Sequence, residues 1–115
     1  MIDVNELTQF LREFANERDW NRYHSPKNLV MAMSVEMAEL MEHFEWLTEE
    51  QSLDLDDSTR QEVALEMADV LIYLVRMADR CRVDLDQSVR KKLLINAEKY
   101  PVTDLAREPG TDLPG

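Results

Sequence analysis

The chain has 115 residues and a formal net charge of −11, and these two numbers already exclude several classes of protein. Its length suits one domain, which on the usual scaling buries about two-thirds of its extended surface and needs no metal or disulfide to fold. Acidic residues number 24 against 13 basic ones. This balance excludes a general nucleic-acid binder and a protein held by charge on anionic lipid, so we expect no nucleic acid and no membrane among the partners.

The cysteine content and the opening residues indicate the cellular compartment that we expect for this chain. Cys81 is the single cysteine, so no intrachain disulfide can form, which is typical of a reducing environment. The opening residues MIDVNEL contain neither a basic nor an apolar signal region, and the longest apolar stretch, 70–75, is too short for a bilayer. We therefore expect a cytoplasmic protein, with one folded domain over residues 1–101 and an extended or mobile tail over 102–115, where proline and glycine gather.

Two glycines and four prolines are too few for a sheet-rich fold, and caps and apolar periods predict helices instead. The first helix begins at a capping box of Asp3 and Glu6 and extends to about residue 18. The second begins with Ser25 as its cap and Pro26 at the first helical position, and extends to about residue 47. Its apolar residues form two stripes, more than one small domain covers, which favours partner subunits. One stripe contains Leu29, Met33, Leu40, Phe44 and Leu47, and the other contains Val30, Met37 and Met41.

The second half of the chain predicts two more helices. A solvated loop is expected over 48–57, where acids replace large apolar residues. The third helix restarts at Ser58, with Gln61 three residues later, and extends to about residue 80 with an apolar seam suited to bundle packing. The fourth follows a capping box of Asp84 and Gln87 and ends at Pro101. The predicted fold is all-α, a four-helix bundle.

Two pairs of acids interrupt the apolar pattern: Glu36 with Glu39 in VEMAEL, and Glu66 with Asp69 in LEMADV. Residues three apart project from one face of a helix, so antiparallel packing could bring both pairs together. Carboxylates at close range must face water, take up protons or bind cations. Their hard oxygen atoms suit Mg²⁺, with Mn²⁺ as the alternative, and Mg²⁺ commonly shares its coordination with substrate phosphates.

Two alternatives compete with a magnesium site. A di-iron bundle would use Glu-x-x-His pairs, but Leu40 stands three residues before His43, and Asn21 three before His24. The acids could also be solvated helix positions, because acids three apart are common in helices and spacing alone leaves this reading open. The chain would then be a non-catalytic helical interaction module whose methionine-rich faces bind partner helices.

Aromatic and basic residues share helix faces with these acids. Trp46 follows the first acid pair and Tyr73 the second at helical spacing, so each could stack on a nucleobase or cap the core. Lys92, Asn96 and Lys99 share one face of the fourth helix. They could meet phosphate oxygens or serve as solubilising surface groups.

These motifs resemble those of the all-α nucleoside triphosphate pyrophosphohydrolases of the MazG type, most closely the dCTP pyrophosphatases. Glu36, Glu39, Glu66 and Asp69 match the acid pattern of that family in order. The stretches FANERDW, HSPKNL, EMADVLIYLV, CRVDL and NAEKYP extend the similarity over about residues 7–101. The resemblance implies cleavage of dCTP between its α- and β-phosphates, with the four acids as catalytic Mg²⁺ ligands, in an enzyme that clears surplus or modified nucleotides.

The resemblance also implies roles for further residues. It implies base-binding aromatics at Trp20, Trp46 and Tyr73, and phosphate or sugar contacts from Lys92, Asn96 and Lys99. Animal dCTP pyrophosphatases carry a histidine where this chain has Leu11, so use of deoxynucleotides other than dCTP is expected. Family members assemble as dimers or tetramers, and we expect a homotetramer, with a homodimer as the second choice.

Overall fold

The structure is a computed structural model that describes residues 2–102, and these residues form five helices and no strand. In chain order the helices are α1 (Val4–Glu17), α2 (Pro26–Glu42), α3 (Glu49–Ser52), α4 (Asp57–Cys81) and α5 (Leu85–Lys99). All four predicted long helices are present, and α3 is a single additional turn. The all-α fold is therefore confirmed.

Three predicted caps start their helices. The side chain of Asp3 accepts hydrogen bonds from two backbone N–H groups of the first turn of α1. Ser25 accepts from the N–H of Asn28 at 3.1 Å, and Asp84 accepts from the N–H of Gln87 at 3.0 Å. These bonds satisfy N–H groups that a helix leaves without intrahelical partners, which is why the three starts could be read from short sequence patterns.

The second helix and the loop after it differ from the prediction. α2 ends at Glu42 rather than near residue 47, and residues 43–46 form hydrogen-bonded turns. Part of the expected loop is the helix α3, because Thr48 and Gln51 form a reciprocal capping box with distances of 3.1 and 2.9 Å. This local start competes with continuation of α2, so the long predicted helix is divided.

The third predicted helix also has a different start. Asp56, not Ser58, caps α4, because its Oδ1 atom accepts from the N–H of Thr59 at 2.7 Å. At the other end Arg82 adopts a left-handed conformation with φ of 59°, and the N–H of Val83 bonds the carbonyl of Ala78 at 2.9 Å. The chain therefore leaves α4 through a tight C-terminal turn.

The described residues divide into two compact units, one ending at Val83 and one beginning at Asp84. In the first unit α1 and α2 both pack against α4, and the contact between α2 and α4 is the more extensive. The second unit contains α5. The predicted tail lies outside the described residues apart from Val102, so the division into 1–101 and 102–115 stays a prediction. The core of the first unit consists of Ala15 on α1, Leu29 on α2, and Val63, Val75 and Ala78 on α4.

The two apolar stripes predicted on α2 have different surroundings. Leu29 of the first stripe is buried, whereas Val30, Met37 and Met41 of the second are exposed over 40%, 48% and 59% of their surface. A helix with apolar side chains on both its core face and its outer face has surface left to cover. None of the helices within residues 2–102 is both long enough and apolar enough to span a bilayer.

An ion pair with two contacts joins α1 to α4. Nη2 of Arg12 lies 2.6 Å from Oδ1 of Asp79, and Nε lies 3.1 Å from Oδ2. The hydrogen bond from Arg12 lowers the pKa of Asp79 below its usual value of 3.8, although burial of the carboxylate acts in the opposite direction. At neutral pH this pair stabilises the packing of the two helices.

Replacing Arg12 with glutamine should lower the free energy of unfolding at pH 7, because it removes both contacts with Asp79, although water screens the half-exposed guanidinium and limits the loss. A carboxyl group with a lowered folded pKa stabilises fully above its unfolded pKa and loses that contribution as pH falls through the folded value. The deficit of R12Q should therefore shrink once the pH falls below 3.8. Urea unfolding of both proteins at a series of pH values measures this difference in stability. The control is Arg60→Gln, which removes an exposed pair with Asp57 and should change stability by less than about 0.5 kcal/mol.

Candidate functional site

The packing of α2 against α4 brings the two predicted acid pairs into electrostatic contact around Glu36. Burial, followed by the charges of Glu39 and Asp69, raises the pKa of Glu36 above its usual value of 4.5. A hydrogen bond with Glu39 and the charge of Glu66 act in the same direction. Like charges raise a carboxyl pKa in this way only at short range. We call Glu36, Glu39, Glu66 and Asp69 the acidic cluster.

His43, just beyond the end of α2, approaches this cluster from one side. Its Nε2 atom lies 2.8 Å from Oε2 of Glu66, and its Nδ1 atom lies 4.0 Å from a carboxylate oxygen of Glu62. The close contact with Glu66 does not have hydrogen-bond geometry, and Oε2 is buried without a hydrogen-bond partner among the residues described. Apart from this contact with His43, the oxygen has no hydrogen bond among the described residues, so it keeps lone pairs for a ligand.

The acids are close to one another but do not form a closed set of ligands. Within residues 2–102, no three His, Cys, Asp or Glu side chains stand in positions that would hold a metal ion. Carboxylates repel one another, so closing the set requires positive charge between them. The chemistry of the donors nevertheless fits a hard divalent cation, because the cluster offers only carboxylate oxygens, and one of them, Oε2 of Glu66, is buried and accepts no hydrogen bond within residues 2–102.

A cavity of about 340 Å³ adjoins the acidic cluster in the first unit. Glu36 and Asp69 line it, and most of the remaining wall is apolar or aromatic. Pockets of a few hundred Å³ with an apolar wall and a few polar groups are typical of small-ligand sites. The main apolar and aromatic lining residues are Phe10, Leu11, Phe14, Trp20, Leu29 and Tyr73.

A tight turn after α1 places Trp20 in the cavity wall. Asp19 adopts a left-handed conformation with φ of 54°, which a short polar residue tolerates, and the N–H of Trp20 then bonds the carbonyl of buried Ala15 at 2.9 Å. The indole packs edge-on against Phe14, with ring centroids 5.5 Å apart. Because Trp20 is still 40% exposed, part of its ring is available to a ligand.

The cavity also has a polar wall that sequence reasoning did not assign to a site. His24 and Arg76 line it, and Nε of Arg76 donates to Nδ1 of His24 at 3.2 Å. In the sequence His24 is a candidate only for the di-iron alternative, and no pattern singles out Arg76. Their pairing joins positions 52 residues apart in sequence, which no local pattern can predict.

The other predicted ligand-binding residues lie in several places. Tyr73 lines the cavity with Trp20, whereas Trp46 is 87% exposed in the turn after α2 and does not contribute to the wall. Lys92, Asn96 and Lys99 lie on α5, in the second unit. Oδ1 of Asn96 is buried and has no hydrogen-bond partner within the described part of the chain. The roles of Trp46 and of the three α5 residues therefore stay predictions.

A family profile and individual known proteins both match the chain, and they point to the same family. The sequence profile of the MazG-like family matches residues 31–110. The proteins named dCTP pyrophosphatase 1 of Bos taurus and of Homo sapiens are each 43% identical to the chain over 62 residues, which is 54% of the chain. That match spans only 37% and 36% of those two proteins, so the chain covers much less than half of their length.

A solved structure extends the similarity to the fold. The crystal structure of a pyrophosphatase from Archaeoglobus fulgidus DSM 4304 superimposes with a TM-score of 0.79 and 39% sequence identity. The match covers 85% of this chain and 92% of the archaeal chain. The resemblance drawn from the acid motifs is thus confirmed by a sequence profile, by curated relatives and by a solved fold. The chain belongs to the MazG-like family.

Proposed function

We propose that this chain is a Mg²⁺-dependent nucleoside triphosphate pyrophosphohydrolase that cleaves dCTP, and other deoxynucleoside triphosphates, to the monophosphate and pyrophosphate. The observation that carries the proposal is that Glu36 and Asp69 belong both to the acidic cluster and to the wall of an aromatic cavity. A nucleoside in the cavity would have its phosphate chain beside the acids. The relatives named for dCTP pyrophosphatase and pyrophosphatase activities support the same reaction.

The acidic cluster supplies the ligands for metal in this proposal. Glu36, Glu39, Glu66 and Asp69 would hold Mg²⁺, with Mn²⁺ as the alternative. When bound, the metal neutralises charge on the phosphates and lowers the pKa of a coordinated water. The contribution of the chain is to fix the carboxylates on two packed helices, and His43 restrains Glu66 from the side. Oε2 of Glu66, which is buried and accepts no hydrogen bond among the described residues, is the oxygen best prepared for this role.

The cavity supplies the base-binding surface. Trp20 and Tyr73 line it, and we assign them to the base, since stacking on an aromatic ring contributes about 1–3 kcal/mol per base and tolerates any base. Trp46, Lys92, Asn96 and Lys99 are proposed as further contacts to base, sugar or phosphate, on the family pattern. The cytosol, where deoxynucleoside triphosphates are used, is the proposed location, and removal of surplus or modified nucleotides the proposed role.

The test is the identity of the products. The full chain is incubated with dCTP and Mg²⁺, and the products are separated by ion-exchange chromatography. We expect dCMP and pyrophosphate in equal amounts, and no turnover after chelation with EDTA. Release of inorganic phosphate with dCDP would reject the proposed bond, and absence of any cleavage of the common and modified nucleoside triphosphates would favour the non-catalytic interaction module.

Selectivity for the base should be weak, because Leu11 in the cavity wall cannot form a hydrogen bond with a base edge. We expect kcat/KM for dCTP and for dTTP to differ by less than about two-hundredfold, which is the upper end of the discrimination that apolar contacts alone provide. Initial rates of pyrophosphate release across the common deoxynucleoside triphosphates measure the ratio. A preference for dCTP above about a thousandfold would show that another group reads the base.

The outer stripe of α2 supports self-association. We propose a homotetramer, with a homodimer as the second choice, because Val30, Met37 and Met41 are exposed on the face of α2 that bears no buried core residue. Light scattering coupled to gel filtration should give four times the chain mass of 13.5 kDa. Met37→Glu should reduce the mass of the assembly, whereas Glu42→Gln on the same helix should not.

A further inference from the structure

Arg76 is the most deeply buried charged residue of the described chain, and neither the acidic cluster nor base stacking explains it. Only 4% of its surface is exposed, although it also contributes to the cavity wall. Its Nε donates to Nδ1 of His24 at 3.2 Å, and Nη1 donates to Oδ2 of Asp79 at 3.3 Å. The other terminal nitrogen donates to the side-chain oxygen of Asn21. Three bonds to three residues hold the guanidinium in one orientation.

The bond from Arg76 to His24 determines where the imidazole carries its proton. A guanidinium has only donors and stays protonated in proteins, so Nδ1 of His24 must accept through its lone pair. The single proton of the neutral ring is then on Nε2. Protonation of Nδ1 would place two N–H groups face to face. Burial, followed by the charges of Arg76 and Arg80, lowers the pKa of His24, which agrees with a neutral ring.

The protonated nitrogen is available to a ligand. His24 lines the cavity beside Trp20, with ring centroids 5.6 Å apart. In the described part of the chain Nε2 of His24 has no hydrogen-bond partner and is not fully buried, and the residue belongs to the cavity wall, so this N–H remains free to donate. The apolar and aromatic wall around it offers few competing polar groups. A fixed N–H donor in such a wall can bind only an acceptor atom.

We propose that Arg76 is a positioning residue that fixes His24 as a hydrogen-bond donor to an acceptor atom on the base of the nucleotide. The nature of the ligand rests on the proposed function, whereas the tautomer rests on the Arg76–His24 bond alone. The acceptor is a carbonyl oxygen or an unprotonated ring nitrogen, and an exocyclic amino group turned toward His24 would be disfavoured. Each common base offers such an acceptor, so this donor orients the base without strong selection, in agreement with apolar Leu11.

The tautomer can be measured in the wild-type protein. The chain contains two histidines, so selective ¹⁵N labelling of histidine gives two imidazoles, and His43→Gln assigns them. Long-range ¹H–¹⁵N correlation spectra at neutral pH should show the proton of His24 on Nε2. The products dCMP and dTMP should each shift the Nε2 resonance. Deoxyribose 5-phosphate, which has no base, should leave it unchanged.

Variants of Arg76 separate positioning from general support of the fold. Arg76→Met removes every donor at similar length, so we expect a mixture of both tautomers and an affinity for dCMP about threefold to tenfold lower. Arg76→Lys, which also only donates, should restore the Nε2 tautomer. The control is Arg80→Gln, because Nε of Arg80 donates to the backbone carbonyl of His24 at 3.0 Å and does not touch the ring. It should leave the tautomer unchanged.

The proposal is overturned if His24 of the wild type carries its proton on Nδ1, or if neither dCMP nor dTMP shifts Nε2. It is also overturned if R80Q alters the tautomer as much as R76M. If R76M does not fold, the tautomer of His24 in the wild type and in R76K still tests the proposal. A protein that cleaves no triphosphate but shows the Nε2 shift with dCMP would reject the proposed function and retain this inference. Cleavage of dCTP with the other tautomer would reject this inference alone.

Discussion

Asp69→Asn should reduce the turnover of dCTP by about a thousandfold or more at saturating Mg²⁺. Asparagine keeps the shape of the side chain but removes the charge, and charge neutralisation at phosphate contributes several kcal/mol in metal-assisted hydrolysis. Asp69 interacts with Glu36 and lies in the cavity wall, so its loss affects the point where the cluster and the cavity meet. Initial rates of pyrophosphate release measure the effect, and Glu39→Gln should behave in the same way.

The matched control is Glu42→Gln, at the exposed last residue of α2. It removes one acid from the same helix outside the cluster and should change turnover by less than about twofold. If D69N and E39Q retained more than about a tenth of wild-type turnover, the acidic cluster would not be the catalytic site. If E42Q lost as much as D69N, the loss would reflect overall charge rather than position.

Stability distinguishes lost chemistry from lost folding in the same variants. Burial and the charges of Glu39 and Asp69 raise the pKa of Glu36, which means that these carboxylates destabilise one another when ionised. In EDTA at pH 7, D69N should therefore unfold at a higher temperature than the wild type, while E42Q should be unchanged. An inactive D69N that melts at a lower temperature would attribute its inactivity to misfolding.

The fold was predictable where the signals are local. Asp3, Ser25 and Asp84 start helices through bonds to backbone N–H groups two or three residues away, and such bonds can be read from a short window. The end of α2 was not predictable in this way, because no glycine or proline marks it. It depends on a competing helix start at Thr48, which forms a capping box with Gln51. The acidic composition of residues 48–57 predicts a loop, and that interpretation hides the capping box.

The part of the site that helix periodicity predicts is the set of acid pairs. Acids three residues apart share a helix face, so each acid pair could be recognised from its spacing. The packing of α2 against α4 then brings the pair that contains Glu36 close to the pair that contains Asp69. The wall of the cavity was not predictable, because it depends on contacts between distant segments. Arg76 lies on the same face as Asp69, and only the contacts with Asn21 and His24, more than fifty residues earlier, identify it as a buried positioning group.

Leu29→Ala should lower the free energy of unfolding by about 2–4 kcal/mol, which is the usual cost of removing a buried leucine side chain and leaving a void. Leu29, at the start of α2, is 2% exposed. Only four other apolar side chains of the described residues are buried. With so few buried partners, little of the lost packing can be recovered by rearrangement. Urea unfolding at one fixed protein concentration measures the change, because self-association would otherwise contribute to it.

The control for this change is Met31→Ala, two residues further along α2, where the side chain is 57% exposed. It should alter stability by less than about 0.5 kcal/mol. Leu29 also lines the cavity, so L29A enlarges the space next to Trp20 and His24 and should weaken dCMP binding at temperatures where the protein is still folded. A stability loss below about 1 kcal/mol would show that the cavity, and not the core, surrounds Leu29.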